Sequence, residues 1–250
     1  MATKKKQYTN PFMKVQTPVS GIAAESLLRE GIVFHQQGQY EKAQEIYLRV
    51  LEVDSRNSDA LHLMGVIAHQ RGNYQVAVDL IAKAVQINKN IASYYSNIGL
   101  ALHELKRFEA AIENYDKAIK LELKYAEAFF NRGNALRELK QLESAVESYD
   151  EAICIKPNYT KAYFNKGNAL EELKQLEAAL QCYDKAIGLK PDYAEAYFNK
   201  SVLLLSIHDF ESGWHLYDWR WKKKNDFSLP FSTVKPKLDN LYNSLSKEIK

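Results

Sequence analysis

The sequence predicts an all-α protein, a right-handed α-solenoid of stacked antiparallel helix hairpins. Three observations predict this fold. Glycines recur every 34 residues from Gly31 to Gly167. Two further series keep the same step: an aromatic or leucine series from Tyr40 to Phe210, and an alanine series that begins at Ala43. A period of this length is typical of stacked helical repeats, and strand signals are absent from the chain.

The helices of each repeat follow from the spacing of its apolar residues. We number each repeat so that its glycine, or Ser201 in the last, stands at position 8. The six repeats then begin at Ala24, Ser58, Ala92, Ala126, Thr160 and Ala194. Positions 4, 7, 8 and 11 share one side of a first helix, because each residue turns about 100°. A second helix carries apolar residues at positions 17, 20, 21, 24 and 28. One hairpin cannot bury both of its faces, so neighbouring repeats must stack.

These repeats resemble the tetratricopeptide repeat family. The signature reads here as Tyr95-x2-Ile98-Gly99-x2-Leu102, followed by Ala111-x3-Tyr115. The resemblance implies a helical scaffold that binds other proteins. The chain departs from the family pattern at position 7, which usually carries an aliphatic residue. Charged residues stand there in four repeats: Glu30, Arg132, Lys166 and Lys200. We expect their stems to lie on apolar surface while their charges stay in water.

Three segments are expected along the chain. Residues 1–21 form a flexible N-terminal tail, and residues 22–227 form the array of about six repeats. Residues 228–250 include an amphipathic helix whose apolar stripe is Leu238, Leu241, Leu245 and Ile249. This helix is interpreted as a cap over the last repeat. The alternative is a docking helix for another chain, which would allow self-association.

Composition excludes several classes of function. The formal net charge of +3 is small for 250 residues and argues against a dedicated nucleic-acid surface. No run of 18 apolar residues is present, so no membrane span is expected. Cys154 and Cys182 do not form a disulfide framework, which favours a reducing, cytoplasmic location. Both lie in second helices, where we expect them to act as small apolar fillers.

A row of amides on the first helices is the candidate binding site. Positions 2, 5, 6, 9, 12 and 13 lie opposite the buried stripe and are expected to face solvent on the concave side. The candidate residues are Asn97, Asn131, Asn165 and Asn199 at position 6, Asn134 and Asn168 at position 9, and Phe130, Phe164 and Phe198 at position 5. An amide both donates and accepts hydrogen bonds, as the backbone of an extended peptide requires. The alternative is that repeat duplication copied these asparagines without a binding role.

Catalytic and metal motifs are lacking in the sequence. The six histidines form no HExxH pattern, and none has cysteine or aspartate at metal-ligand spacing. Gly-rich nucleotide loops and the GxSxG nucleophile motif are also absent. We therefore expect no cofactor, no metal and no enzymatic activity in this chain.

A second resemblance leads to a different class of function. The string DFESGWHLYDWRWK looks like the last repeat of bacterial tetratricopeptide proteins that continue into a glycosyltransferase. The asparagine row is similar to the peptide-threading superhelix of O-linked N-acetylglucosamine transferases. The leading hypothesis remains a non-catalytic scaffold that binds a protein or an extended peptide. The alternative is the substrate-recognition arm of a glycosyltransferase whose catalytic domain is missing or separately encoded.

Overall fold

The computed structural model of the chain describes residues 18–222, which are helical with short turns and contain no strand. The helices are α1 (Pro18–Gln36), α2 (Tyr40–Val53), α3 (Ser58–Gln70), α4 (Tyr74–Ile87), α5 (Ala92–Glu104), α6 (Phe108–Leu121), α7 (Ala126–Glu138), α8 (Leu142–Ile155), α9 (Thr160–Glu172), α10 (Leu176–Leu189), α11 (Ala194–Ser206) and α12 (Phe210–Tyr217). A 3-10 helix, Asp218–Lys222, follows α12. Within this range no helix has both the length and the apolar character to cross a bilayer.

The predicted repeats are confirmed by the positions of the helices. Five first helices, α3, α5, α7, α9 and α11, begin at the first residue of a predicted repeat. α1 is longer, and its start at Pro18 puts the predicted array boundary at residue 22 inside this helix. The chain divides into two compact units, residues 1–179 and 180–250. In the first unit α1/α2, α3/α4, α5/α6 and α7/α8 pack as hairpins, and each second helix also packs on the next first helix.

In the first four hairpins the close approach of the two helices depends on the position-8 glycine. Position 24 of the same repeat is a fully buried tyrosine in several repeats, among them Tyr115 and Tyr149. A Cβ atom on Gly133 would lie 2.6 Å from Tyr149 Cε1, and one on Gly99 would lie 2.5 Å from Tyr115 Cε1. Such distances are far below van der Waals contact. Glycine at position 8 therefore makes room for the aromatic ring between the two helices.

The turn between the two helices of a repeat is the same in all six repeats. Position 15 has a positive φ throughout, at Gly38, Gly72, Lys106, Lys140, Lys174 and His208. In the fourth repeat, the N–H of Lys140 donates to the Arg137 carbonyl, and the N–H of Gln141 donates to the Leu136 carbonyl. This pair of bonds is the Schellman ending of a helix. The turn is set by these backbone bonds, and glycine is not required for it.

The first helices line the inner side of the first unit. Neighbouring first helices contact one another directly, as α3 does α5, α5 does α7 and α7 does α9, whereas neighbouring second helices are held further apart. Unequal spacing on the two sides of a stack makes it curve towards the closer side. The first-helix face is therefore concave, as the sequence predicts.

The sixth repeat lacks the full-length second helix that the repeat pattern predicts. α12 stops at Tyr217 after eight residues, and the chain continues as a 3-10 helix. The tighter turn accompanies a parallel stack of Trp219 on Tyr197, with ring centroids 3.9 Å apart. The Arg220 guanidinium lies over the Tyr217 ring at 4.1 Å. The predicted tail over most of residues 1–21 and the predicted cap over residues 228–250 lie outside the described residues.

The two cysteines differ in exposure. Cys182, at position 23, is buried, as expected for a small apolar filler. Cys154 is exposed, so the same expectation is wrong for it.

Candidate functional site

The nine candidate residues lie on first helices and are all partly buried. Asn97 is on α5; Phe130, Asn131 and Asn134 are on α7; Phe164, Asn165 and Asn168 are on α9; Phe198 and Asn199 are on α11 of the second unit. They are thus exposed to solvent only in part, whereas Glu127 and Glu138 at positions 2 and 13 of this face are exposed. The side chains are too close to those of the neighbouring repeats to be surrounded by water.

Two of the asparagines are joined across a repeat boundary. The Asn165 Nδ2 donates to Asn134 Oδ1 at 2.7 Å, from the fifth repeat to the fourth. The Tyr149 hydroxyl donates to the same Asn134 oxygen at 2.9 Å. Burial holds the pKa of Tyr149 well above its ordinary value, so it remains a neutral donor. This amide network connects a buried core tyrosine to the concave face.

Asn97 takes a different partner, the imidazole of His62 in the second repeat. Asn97 Nδ2 lies 2.7 Å from His62 Nε2, and the His62 ring stacks on Tyr94 at a centroid distance of 4.5 Å. Burial lowers the pKa of His62 to about 4, although the negative charge of Asp59 acts in the opposite direction. The ring is therefore neutral near pH 7. A neutral Nε2 can accept the amide N–H, which assigns the proton to Nδ1.

Asn131 is the candidate amide that remains available. Within residues 18–222 no hydrogen bond joins its side chain to another group. It lines a cavity of about 140 Å³ between the third and fourth repeats. The six lining residues are Leu100, His103, Glu104, Tyr115, Asn131 and Asn134.

The phenylalanine row has a packing role as well as a position on the concave face. The Phe130 ring lies 5.0 Å from the Tyr159 ring and 6.0 Å from the Tyr149 ring, measured between centroids. Phe198 similarly lies 5.9 Å from Tyr217 in the second unit. In the third repeat position 5 is Ser96, which is buried. These rings fix the spacing of neighbouring elements and present only part of their surface to a ligand.

The three basic residues at position 7 are paired with acids of the preceding repeat. Arg132 Nε bonds Asp116 Oδ1 at 2.7 Å, and its Nη1 donates to the buried Ser148 hydroxyl at 2.7 Å. Lys166 pairs with Asp150, and Lys200 with Asp184. In each pair position 7 of one repeat meets position 25 of the preceding repeat. The charges of Arg132, Lys166 and Lys200 therefore stay partly in water, as expected, but each is also paired with an acid of the preceding repeat.

Sequence reasoning missed the polar groups around the cavity. Tyr115 OH and His103 Nε2 are buried and have no hydrogen-bond partner in the part of the chain that is described. The sequence does contain an indication that the third repeat differs here. Position 9 is asparagine in the fourth and fifth repeats but Leu100 in the third. Among the described residues no three His, Cys, Asp or Glu side chains converge as metal ligands would.

Comparison with known proteins gives the family and the fold. A family model described as TPR repeat matches residues 99–139 and 133–174. Models described as Tetratricopeptide repeat match residues 160–193 and 22–90. Together these matches cover well over half of the chain. No curated protein sequence matches it significantly.

Solved structures with this fold include MamA, pilF and YrrB. MamA is 26% identical with a TM-score of 0.61, over 70% of this chain and 96% of MamA. The pilF protein of Pseudomonas aeruginosa is 20% identical with a TM-score of 0.74, over 88% and 99%. YrrB, described as a TPR protein with an unusual peptide-binding site, is 23% identical with a TM-score of 0.61, over 74% and 99%. The repeats, the helix hairpins and the matching family models agree, and the chain belongs to the tetratricopeptide repeat family.

Proposed function

We propose that this chain is a non-catalytic scaffold that binds an extended peptide segment of another protein on its concave face. The supporting observation is the amide network of the first helices, in which Asn165, Asn134 and Tyr149 are fixed relative to one another. A side chain that is already ordered loses little conformational entropy when a ligand binds. The bonded amides therefore hold the face in one arrangement, and the Asn131 amide, which makes no hydrogen bond among the described residues, can pair with the backbone of an extended segment.

The chemistry of this face favours a peptide over a charged polymer. Acidic and basic residues of the first helices are mixed, and several are engaged with each other. Glu172 of α9 pairs with Lys140 in the turn after α7, and Glu127 of α7 pairs with Lys156 at the end of α8. Such pairs leave no single-sign stripe of the kind that holds a nucleic acid. Backbone recognition through amides needs no net charge.

The test uses a library of random, unstructured peptides selected against the purified chain. Peptides that are enriched are then titrated against wild type and Asn131→Ala by fluorescence polarisation. Because Asn131 makes no internal hydrogen bond, its loss leaves the fold intact and weakens binding by about tenfold, the equivalent of one charged or well-placed hydrogen bond. Glu113→Ala, at an exposed site on α6, is the matched control and leaves affinity unchanged. Equal affinity for Asn131→Ala would refute the concave amides as the binding site.

The glycosyltransferase arm remains an alternative that rests on the sequence resemblance alone. None of the three solved structures named above is described as a glycosyltransferase. Titration of the purified chain with a UDP-sugar, followed by calorimetry, distinguishes the two hypotheses. The scaffold hypothesis expects no heat of binding beyond dilution.

A further inference from the structure

In the described part of the first unit, side-chain hydrogen bonds join neighbouring first helices at every boundary between repeats except one. The bonded pairs are His35–Gln70, His62–Asn97 and Asn134–Asn165, which join α1 to α3, α3 to α5 and α7 to α9. Among the described residues no side-chain hydrogen bond or ion pair joins α5 to α7. The boundary between the third and fourth repeats therefore lacks such a bond on its concave side.

The residue at position 9 explains the missing bond. In the fourth repeat Asn134 accepts from Asn165, which is the position-6 amide of the next repeat. In the third repeat position 9 is Leu100, which has no polar side-chain atom. The position-6 amide that follows it, Asn131, consequently has no partner across the boundary.

The leucine also leaves the core tyrosine of the third repeat without an acceptor. In the fourth repeat the Tyr149 hydroxyl donates to Asn134 at 2.9 Å. In the first, the Tyr47 hydroxyl lies 3.4 Å from His35 Nδ1. The Tyr115 hydroxyl is closed off from solvent and has no partner among the described residues. An unpaired buried hydroxyl costs free energy that contact with water would recover.

A cavity of about 140 Å³ lies where the bond is missing. Its lining includes Leu100, His103 and Glu104 of α5, Tyr115 of α6, and Asn131 and Asn134 of α7. Interiors resist small displacements because they are closely packed. Since α5 and α7 are separated here by a gap, their side chains lose few contacts when the two helices move apart.

The opposite side of the same boundary is held together. Arg132 of α7 bonds Asp116 of α6 at 2.7 Å. Ile112 of α6 packs against the apolar cluster that contains Leu136 of α7. The contact of α6 with α7 therefore keeps both an ion pair and an apolar core, and a displacement at this boundary opens between α5 and α7.

We propose that the boundary between the third and fourth repeats is a hinge, at which α7 moves away from α5 and opens the concave face of the first unit. Opening brings water to the Tyr115 hydroxyl. At each of the bonded boundaries the same motion must break a hydrogen bond, which lowers the population of the open form by about fivefold. The hinge is a property of the free chain and does not depend on the binding of a peptide.

The first test measures how often the core tyrosines become exposed. Tyr115 and Tyr149 are both fully buried at position 24, so their oxidation by hydroxyl radicals, followed by mass spectrometry, reports opening. We expect Tyr115 to be oxidised faster than Tyr149 by about fivefold or more. Equal protection of the two tyrosines in the wild-type chain would overturn the hinge.

Exchange of the position-9 residues supplies matched variants for this test. Leu100→Asn gives the third repeat the acceptor of the fourth and is expected to slow the oxidation of Tyr115 by about fivefold. Asn134→Leu makes the opposite change one repeat later and is expected to speed the oxidation of Tyr149 to a similar extent. Leu100→Asn decides the test by itself: an unchanged rate at Tyr115, with native circular dichroism, contradicts the proposal.

The second test measures the motion of the repeats. Spin labels are attached to cysteines that replace Glu45 of α2 and Glu147 of α8, which are exposed and occupy the same position of their repeats. Cys154→Ser and Cys182→Ala remove the native thiols. Double electron–electron resonance gives the distribution of the distance between the labels. We expect Leu100→Asn to narrow this distribution, because it closes a boundary that lies between the labels.

Asn134→Leu is the control for the second test. The boundary that it loosens, between the fourth and fifth repeats, lies outside the labelled span, so the distribution keeps its wild-type width. A distribution of equal width in the wild-type chain and in Leu100→Asn would show that the third and fourth repeats do not move relative to each other.

Failure of the hinge and failure of the proposed function give different results, because both tests use the chain without a ligand. If Tyr115 is as protected as Tyr149 while selected peptides depend on Asn131, the hinge is wrong and the scaffold stands. If Leu100→Asn changes the oxidation rate and the distance distribution as expected but no peptide is selected, the hinge stands and the peptide-binding function is wrong.

Discussion

At the scale of the residue, the amides of the concave face are not equivalent. Asn165 and Asn134 are bonded to each other and to a core tyrosine, Asn97 is bonded to His62, and Asn131 has no such bond. We therefore propose two roles for the row. Bonded amides join neighbouring repeats, and the amide of Asn131 is available to a ligand. We therefore expect alanine at Asn131 to leave the thermal midpoint nearly unchanged, and alanine at Asn165 to lower it.

The stability of two single variants tests this distinction. Asn165→Ala is expected to lower the free energy of unfolding by about 1 kcal/mol, because it removes a hydrogen bond between partly buried groups. Asn131→Ala is expected to change it by less than about 0.5 kcal/mol. Urea unfolding followed by circular dichroism measures both. Similar losses in the two variants would show that the bonding pattern does not govern stability.

His62 makes stability depend on pH in a definite direction. Its pKa is about 4 in the folded chain and about 6.5 in an unfolded one. Since the folded pKa is the lower, the contribution of neutral His62 is complete above about pH 6.5 and is lost as the pH falls from there towards 4. Wild type should lose about 2 kcal/mol more than His62→Gln between pH 7 and pH 5. Urea unfolding at the two pH values gives the comparison, and parallel losses would contradict it.

At the scale of the element, backbone hydrogen bonds set the end of each first helix. Where position 8 is glycine, that residue allows the close packing of the first helix on the second. Position 15 takes a left-handed conformation whether it is Gly72 or Lys140, because the two Schellman bonds recur at each turn. Gly38 and Gly72 mark two of these turns in the sequence, whereas the lysines give no such signal. The position-8 glycine, in contrast, is required by the limited space between the two helices. At Gly99 and Gly133 a Cβ atom would overlap the ring of the tyrosine at position 24.

Two glycine-to-alanine variants distinguish the steric effect of an added Cβ atom from its effect on helix propensity. Gly133→Ala should lower the free energy of unfolding by about 1–3 kcal/mol, because the new Cβ must displace the buried ring of Tyr149. Gly188→Ala is the control: it lies in α10 with open space around it and should gain about 0.5–1 kcal/mol from helix propensity. Thermal and urea unfolding measure both changes. A gain in Gly133→Ala would mean that the ring can move aside.

At the scale of the whole molecule, neighbouring repeats carry matching residues at their boundary. Position 25 of one repeat and position 7 of the next are both apolar at the first two boundaries, Leu48 with Met64 and Ala82 with Ile98. At the next boundary Asp116 meets Arg132, and the same acid–base pairing continues to Lys200. The pairs are partly exposed, so each contributes little on its own. We predict that an unmatched boundary is less stable, because one partly buried charge would lose its partner.

Deleting one repeat tests this matching. Removal of residues 126–159 would bring Asp116 against Lys166, a matched boundary. Removal of residues 92–125 would bring Ala82 against Arg132 and leave a partly buried guanidinium without its acid. The two shortened chains have equal length, and the first is expected to be more stable by about 1–3 kcal/mol. Their thermal midpoints, with wild type as reference, check the expectation; equal midpoints would argue that the boundary pairs are interchangeable.

The sequence by itself determined the repeat length, the helix starts and the buried stripe, because an unbroken 34-residue period constrains every repeat in the same way. It also determined which side chains stand on the first-helix face. Only the tertiary structure decided what those side chains do. Asn131 and Asn165 occupy the same position of their repeats, yet one is free and the other bonded, because their partners come from the preceding repeat. The cavity likewise lies between Leu100 of one repeat and Asn131 of the next. Because these residues belong to different helices, the sequence of either helix does not reveal the cavity.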